Sequence, residues 1–389
     1  MKGTRLLAVS SLGMLIFALT SAVIGPLLVP MSESFNLSLS QAGRLVSFRY
    51  QGFFLSSVLI GVLWQRGRAR LFLVGSSFVL CIALLTIGRW PALPVVYVLL
   101  LVVGLSGGLV HTGVDSLLSE IYPDVRTRVL NLVHIFFGVG AFLGPIIVGT
   151  VLLVFGWWNL VYCLVGVGAL GLFFLFLTQN LKEVEPPLPE THTGAWKNLT
   201  YLAKSTPFWL LTLGMFFYLG AEVSLLSWVP MFMARVRNAS TVAAGYANSV
   251  FWITLLVGRL CFVYLSGKIS TPRLLMLAAL GTTFSAIGVF SLTNHILIIT
   301  FLACTGLFAS GIYPTILALG AHTFPERIGM IMGVLSAAGS LGGICFPWLV
   351  GFGSEYLGLG QGVFMIPVVM GLAAATFVYF ERRLIKKEA

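Results

Sequence analysis

The chain has 389 residues, of which 58% are hydrophobic and 9% charged, and its mean hydropathy is +1.00. Soluble domains carry about 25% charged residues, so a water-soluble globular protein is excluded and a polytopic membrane protein is implied. The formal net charge of +11 would suit a nucleic-acid or anionic partner. The basic residues instead gather on one side of the spans described next, so the lipid bilayer is the expected surrounding and no nucleic acid is expected as a partner.

A helical span needs about 20 apolar residues, whereas barrel strands alternate over about 10. Twelve helical runs follow one another, at 6–30, 41–63, 71–89, 94–119, 129–154, 158–180, 207–233, 243–266, 272–291, 295–320, 328–352 and 360–381. The expected fold is therefore all-α. The first run follows Lys2 and Arg5; it is too long for a signal-peptide core and lacks a small-residue cleavage site, so it is read as a span. Basic residues stay on the cytoplasmic side of short loops. With both termini inside, Arg66, Arg68, Arg70, Arg126, Arg128, Arg327 and the tail cluster of Arg382, Arg383, Lys386 and Lys387 all fall there. An inner or plasma membrane is the expected location. Cys81, Cys163, Cys261, Cys304 and Cys345 lie in spans without metal-type spacing, so neither a disulfide framework nor a metal is expected.

The longest polar interval, KEVEPPLPETHTGAWKNLTYLAKSTP, divides the chain into six spans over 1–181, a cytoplasmic linker over 182–206 and six spans over 207–389. A shift of 202 residues superimposes SEIYPDVRTRVLNLVHIFFGVGAFLGPIIVG, from Ser119, on AHTFPERIGMIMGVLSAAGSLGGICFPWLVG, from Ala321. Pro123 then meets Pro325, Gly140 meets Gly342, Pro145 meets Pro347 and Gly149 meets Gly351 without a gap. The fifth and eleventh spans are equivalent parts of two parallel halves, the organisation of transporters that rock about a site near the midplane.

Ionisable groups inside spans cost about 2.5–3.5 kcal/mol when unpaired at the centre, which makes them functional candidates. Glu222, in FYLGAEVSLLSWVPMF, stands alone among apolar and small residues of the seventh span. Desolvation penalises its ionised form, so it can take a proton on one side and release it on the other; the alternative is a structural Glu bonded to backbone. His111 and Asp115 share a face of the fourth span at i, i+4 and could pass a proton between them, or could be a satisfied histidine and an arginine-paired acid. Arg49 and Arg259 are the arginines available to them; either could hold an anionic substrate bidentately, and Arg259 can also snorkel. His134 opens the fifth span as a supporting residue. Gly140, Gly144 and Pro145 suit close helix packing and a kink.

The loop GVLWQRGRAR, Gly61 to Arg70, resembles the GxLaDrxGRR signature of the major facilitator superfamily, with Gln65 in place of the acid. The resemblance covers essentially the whole chain. It implies twelve transmembrane helices in two pseudo-symmetric six-helix bundles, with Arg66, Arg68 and Arg70 as gating or anchoring residues. Within the superfamily, GLSGGLVHTGVDSLLSEIYP, LNLVHIFFGVGAFLGP, YLGAEVSLLSWVP and SVFWITLLVGR are similar to the fucose:proton symporters and the sodium-dependent glucose transporters.

That likeness implies a proton-coupled symporter, with sodium as the alternative ion, for a small polar solute such as a sugar. Asn248, Trp228, Phe251, Trp252 and Tyr313 would meet the solute together with Arg49, since sugars want rings for their C–H faces and polar groups for their hydroxyls. The chain departs from the symporters at His111, where they carry an acid, at Asp115, where they carry an amide, and in the first span, which has no acid. The run from Gly138 to Gly149 also resembles the GP motif of drug:proton antiporters, which leaves a drug or lipid exporter as the alternative. No nucleotide-binding loop is present, so an enzyme and a cofactor are not expected, and a monomer is.

Overall fold

The computed structural model describes residues 2–63, 69–89, 92–122, 125–179, 202–266, 268–325 and 328–388. Fifteen helices appear among them, and no strand does. The first seven are α1 (Lys2–Ala22), α2 (Ile24–Ser34), α3 (Leu39–Leu63), α4 (Ala69–Ile87), α5 (Leu93–Ile121), α6 (Arg126–Phe155) and α7 (Asn159–Leu177). There follow α8 (Thr206–Arg235), α9 (Thr241–Ser266), α10 (Thr271–Ser291), α11 (His295–Ala309), α12 (Ile312–Thr323), α13 (Ile328–Leu357), α14 (Leu359–Gly362) and α15 (Met365–Glu388).

Among the described residues, eleven stretches are long and apolar enough to cross a membrane. The remaining span of the expected twelve is α3, which has 25 residues, length enough to cross, but carries Arg44 and Arg49 among its serines. Three expected runs are each built from two helices. Pro26 has no N–H for the carbonyl one turn back, and the first run bends there into α1 and α2. The run at 295–320 breaks at Ser310 and Gly311 between α11 and α12. The last run is divided by Val363 and Phe364 between α14 and α15. The Asn294 carboxamide oxygen accepts from the N–H groups of Ile296 and Leu297 at 2.9 and 3.3 Å, which fixes the start of α11. Gly156, at φ +71°, ends α6, a left-handed conformation that glycine adopts without strain.

The chain forms two compact units. Unit 1 comprises Met1–Leu37, Arg44–Thr191 and Thr241–Ser249, and unit 2 comprises Ser38–Gly43, His192–Ser240 and Val250–Ala389. Most of the expected linker, 182–206, lies outside the described residues, as do Arg66 and Arg68.

In unit 1, α1 packs on α6 where Gly140 lies against Leu15 and Ala18, and Gly144 against Ala22. In unit 2, α8 packs on α13 where Gly342 lies against Phe216 and Gly220. A Cβ at Gly140 or Gly342 would collide with a backbone carbonyl of the partner helix, so small residues at these points set the helix separation. Pro145 and Pro347 lie inside α6 and α13.

Candidate functional site

Arg49 is placed by glycines. A Cβ on Gly104 of α5 would strike the Arg49 carbonyl oxygen, and one on Gly52 of α3 would strike the Leu101 carbonyl oxygen. The two helices thus approach backbone to backbone, which carries the Arg49 side chain into unit 1. Its exposure is 2%. The guanidinium donates to the Ser21 hydroxyl, which in turn donates to the Phe17 carbonyl at 3.0 Å. Tyr50 shares a further hydrogen bond with it. Its carbon stands 5.9 Å from the Phe17 ring centre and 5.4 Å from that of Tyr50, within cation–π range.

No carboxylate reaches Arg49 within ion-pair distance among the described residues; the ion pairs found there join Asp115 to His111 and His134. Arg49 Nε has no hydrogen-bond partner there either. A buried guanidinium held by hydroxyls and rings alone keeps both its charge and part of its donor set for something else.

His111, Asp115 and His134 form a second group in unit 1. Asp115 Oδ1 lies 3.3 Å from His134 Nε2, and Asp115 Oδ2 lies 3.9 Å from His111 Nε2. The sequence reading treats His134 as a supporting residue; α6 instead brings it to the carboxylate more closely than His111. Phe17 stacks 4.6 Å from the His111 ring, and Phe53 and Phe137 lie 6.0 and 6.4 Å from it. Phe17 therefore neighbours both Arg49 and His111.

In unit 2, Glu222 is half-buried on α8 and hydrogen-bonded to Tyr218 one turn before it, with Arg259 of α9 as its charged neighbour. The Tyr218 hydroxyl also donates to the Ala309 carbonyl at 3.0 Å, at the last residue of α11 before the break. A tyrosine has one proton to donate, and a carbonyl can only accept. While Tyr218 bonds Ala309, its link to Glu222 requires a protonated carboxyl as the donor. An ionised Glu222 would draw the tyrosine proton to itself and release the carbonyl at the break.

Other expected residues divide differently. Trp228 and Phe251 are fully buried. The Trp228 indole N–H is donated to the Pro347 carbonyl at 3.1 Å, and its ring fills the room left by Gly351. The Phe251 backbone packs against Gly306. Both pack inside unit 2 with no exposed surface in this structure. Trp252 and Tyr313 are half-buried in unit 2. Asn248 is buried in unit 1 beside Ser249, whose hydroxyl donates to the Phe142 carbonyl at 3.0 Å. Arg70 is exposed and donates to the Leu177 carbonyl at 3.4 Å.

Sequence reasoning does not reach Phe17, Ser21 or Tyr218. Only Tyr218 carries a local signal, its place one helical turn from Glu222.

Two six-span halves with ionisable side chains inside the spans define a polytopic membrane transporter fold. The profile described as Major Facilitator Superfamily matches residues 10–294 and 232–389, and the chain belongs to that family. It is similar to the nitrite extrusion protein of Bacillus subtilis, 28% identical over 294 residues, covering 72% of this chain and 70% of that one. A bacterial homologue of the human lysosomal transporter Spinster shares the fold with a TM-score of 0.81 at 17% identity, covering 99% of this chain and 98% of that one. A D-xylose-proton symporter does so with a TM-score of 0.76 at 17% identity, covering 97% of each chain.

Proposed function

We propose that the chain is a proton-coupled secondary transporter for a small polar solute that presents negative charge to Arg49. The observation that carries this reading is the burial of Arg49 without a carboxylate partner among the described residues. A neutral guest would leave the charge uncompensated, whereas an anionic one would be held by the planar fork of donors. Glu222 is the proton site. Protonated, it bonds Tyr218 and leaves Tyr218 on the Ala309 carbonyl; ionised, it competes for that tyrosine, so proton release is felt at the α11–α12 break. The name of the nitrite extrusion relative supports an anion. A second reading, a neutral sugar, is favoured by the half-buried rings of Trp252 and Tyr313 and by the D-xylose-proton symporter fold. Drug or lipid export has no comparable observation behind it.

The test uses purified protein in liposomes loaded with a pH-sensitive dye, challenged in turn with nitrite, small monocarboxylates, a pentose and a hexose. The expected result is proton movement driven by an anion, lost in Glu222→Gln while solute exchange at equal concentrations persists. Proton movement with neutral sugars alone would reassign the solute. Undiminished uphill accumulation by Glu222→Gln would remove Glu222 from the coupling.

A further inference from the structure

The His111, Asp115 and His134 cluster offers more than a pair for proton exchange. One ligand atom from each of the three lies within 4.8 Å of the others. Two of them share a face of α5 at i, i+4, the spacing that lets one helix turn present two ligands to one ion; the third comes from α6. We infer that these three side chains form a binding site for a divalent first-row transition-metal ion such as Zn2+, independent of the Arg49 and Glu222 chemistry.

The distances fit this use. Zinc bonds of about 2.0–2.2 Å at a tetrahedral angle place neighbouring ligand atoms about 3.3–3.6 Å apart. The separation of 3.3 Å between His134 Nε2 and Asp115 Oδ1 is already such an edge. The 3.9 Å from His111 Nε2 is to Asp115 Oδ2, so one ion reaches all three side chains through both carboxylate oxygens or after a small rotation of the carboxylate. Charge-assisted hydrogen bonds close to about 2.7–2.9 Å, and neither separation is that short. The groups converge as ion pairs without closing into charge-assisted hydrogen bonds.

Two polar atoms of the cluster, His111 Nδ1 and Asp115 Oδ1, are buried with no hydrogen-bond partner among the described residues. An ion held by the carboxylate and the Nε2 atoms of both imidazoles would satisfy Asp115 Oδ1, the orphan oxygen between them. Two imidazoles and one carboxylate suit zinc, iron, cobalt or nickel rather than magnesium or calcium, which prefer all-oxygen sets. The rings of Phe17, Phe53 and Phe137 around His111 limit its rotation and keep solvent from that side. Three protein ligands leave at least one coordination position open. Since the ligands lie on two helices, the ion would also tie α5 to α6 within unit 1.

The test is metal binding by the full chain, purified in detergent without a histidine tag, with Co2+ as a spectroscopic probe and Zn2+ as competitor. The expected result is one Co2+ per chain with the visible absorption of a low-coordinate nitrogen and oxygen site, displaced by Zn2+. Asp115→Asn, which keeps the side-chain shape, and His134→Ala should each weaken binding by at least about tenfold. His322→Ala, outside the cluster, should leave it unchanged. Monodisperse elution of each variant separates lost binding from lost folding. Equal metal uptake by wild type and both cluster variants would overturn the site, as would no uptake by wild type. Because no gradient or solute enters the assay, a failure of the transport reading leaves its outcome unaffected.

Discussion

Replacing Arg49 by Met separates a solute-binding charge from a structural one by the size of its effect on stability. The aliphatic side chain keeps most of the volume and removes the charge. An unpaired charge at the centre of a span costs about 2.5–3.5 kcal/mol, and the substitution recovers that. It forfeits the bonds to Ser21 and Tyr50, of which a hydrogen bond to a charged group is worth about 1.5–3 kcal/mol. At mid-range the two bonds, together about 4.5 kcal/mol, exceed the recovered charge, about 3 kcal/mol, so the net loss should be about 1.5 kcal/mol. Breaking a buried ion pair, by contrast, costs about 3–5 kcal/mol. For domains of 150–250 residues, the size of each unit here, 1 kcal/mol moves Tm by about 2–4 °C, so loss of a pair would lower it by roughly 6–20 °C. The assay is thermal unfolding in detergent together with solute binding. Arg49→Met should melt within a few degrees of wild type and bind no anion. A fall of more than about 6 °C with binding intact would refute the reasoning, because Arg49 would then be a structural residue whose partner binds it more strongly than these contacts do.

Tyr218→Phe removes the one proton shared between Glu222 and the Ala309 carbonyl. It should cost about 1–3 kcal/mol and uncouple proton movement from solute flux while exchange continues; normal uphill accumulation would exclude Tyr218 from the coupling. Gly342→Ala drives a Cβ into the Phe216 carbonyl oxygen, a backbone atom that cannot rotate away, so α8 and α13 must part at a cost of at least about 1–3 kcal/mol. Its melting temperature should fall, whereas Gly171→Ala, which meets nothing within 4 Å, should melt like wild type.

The spans were legible because hydropathy responds to the solvent each segment meets, and the twelve runs reappear as helices or kinked helix pairs. The breaks were not. Pro26 and the Ser310–Gly311 step lie inside runs that stay apolar throughout, so hydropathy passes over them. Charges inside spans were equally legible one by one: Arg49, His111, Asp115, Glu222 and Arg259 stand out by residue type. Their partners were not legible, because partnership across helices depends on rotation about each helix axis. His134 belongs with Asp115 through the packing of α5 and α6, and Phe17 reaches both Arg49 and His111 from α1. For Trp228 and Phe251, residue type suggests a sugar platform, while their burial against Gly351 and Gly306 follows from helix packing that residue type does not show.

The internal repeat supplies a control for which residues packing needs. Under the 202-residue shift Gly104 corresponds to Gly306, and the backbone each of them meets belongs to corresponding residues, Arg49 in unit 1 and Phe251 in unit 2. The same shift pairs Glu222 with Thr20, Arg259 with Ser57 and His111 with Tyr313. Gly140 and Gly342 likewise make corresponding contacts with α1 and α8. Each half therefore builds the same close helix contacts with a neutral residue where the other half has an ionisable one. The helix packing does not require the guanidinium of Arg49 or the carboxyl of Glu222, since the equivalent contacts form around Phe251 and Thr20. A charge that costs free energy to bury and that the equivalent contacts in the other half do without fits the proposed roles of Arg49 towards the solute and Glu222 towards the proton.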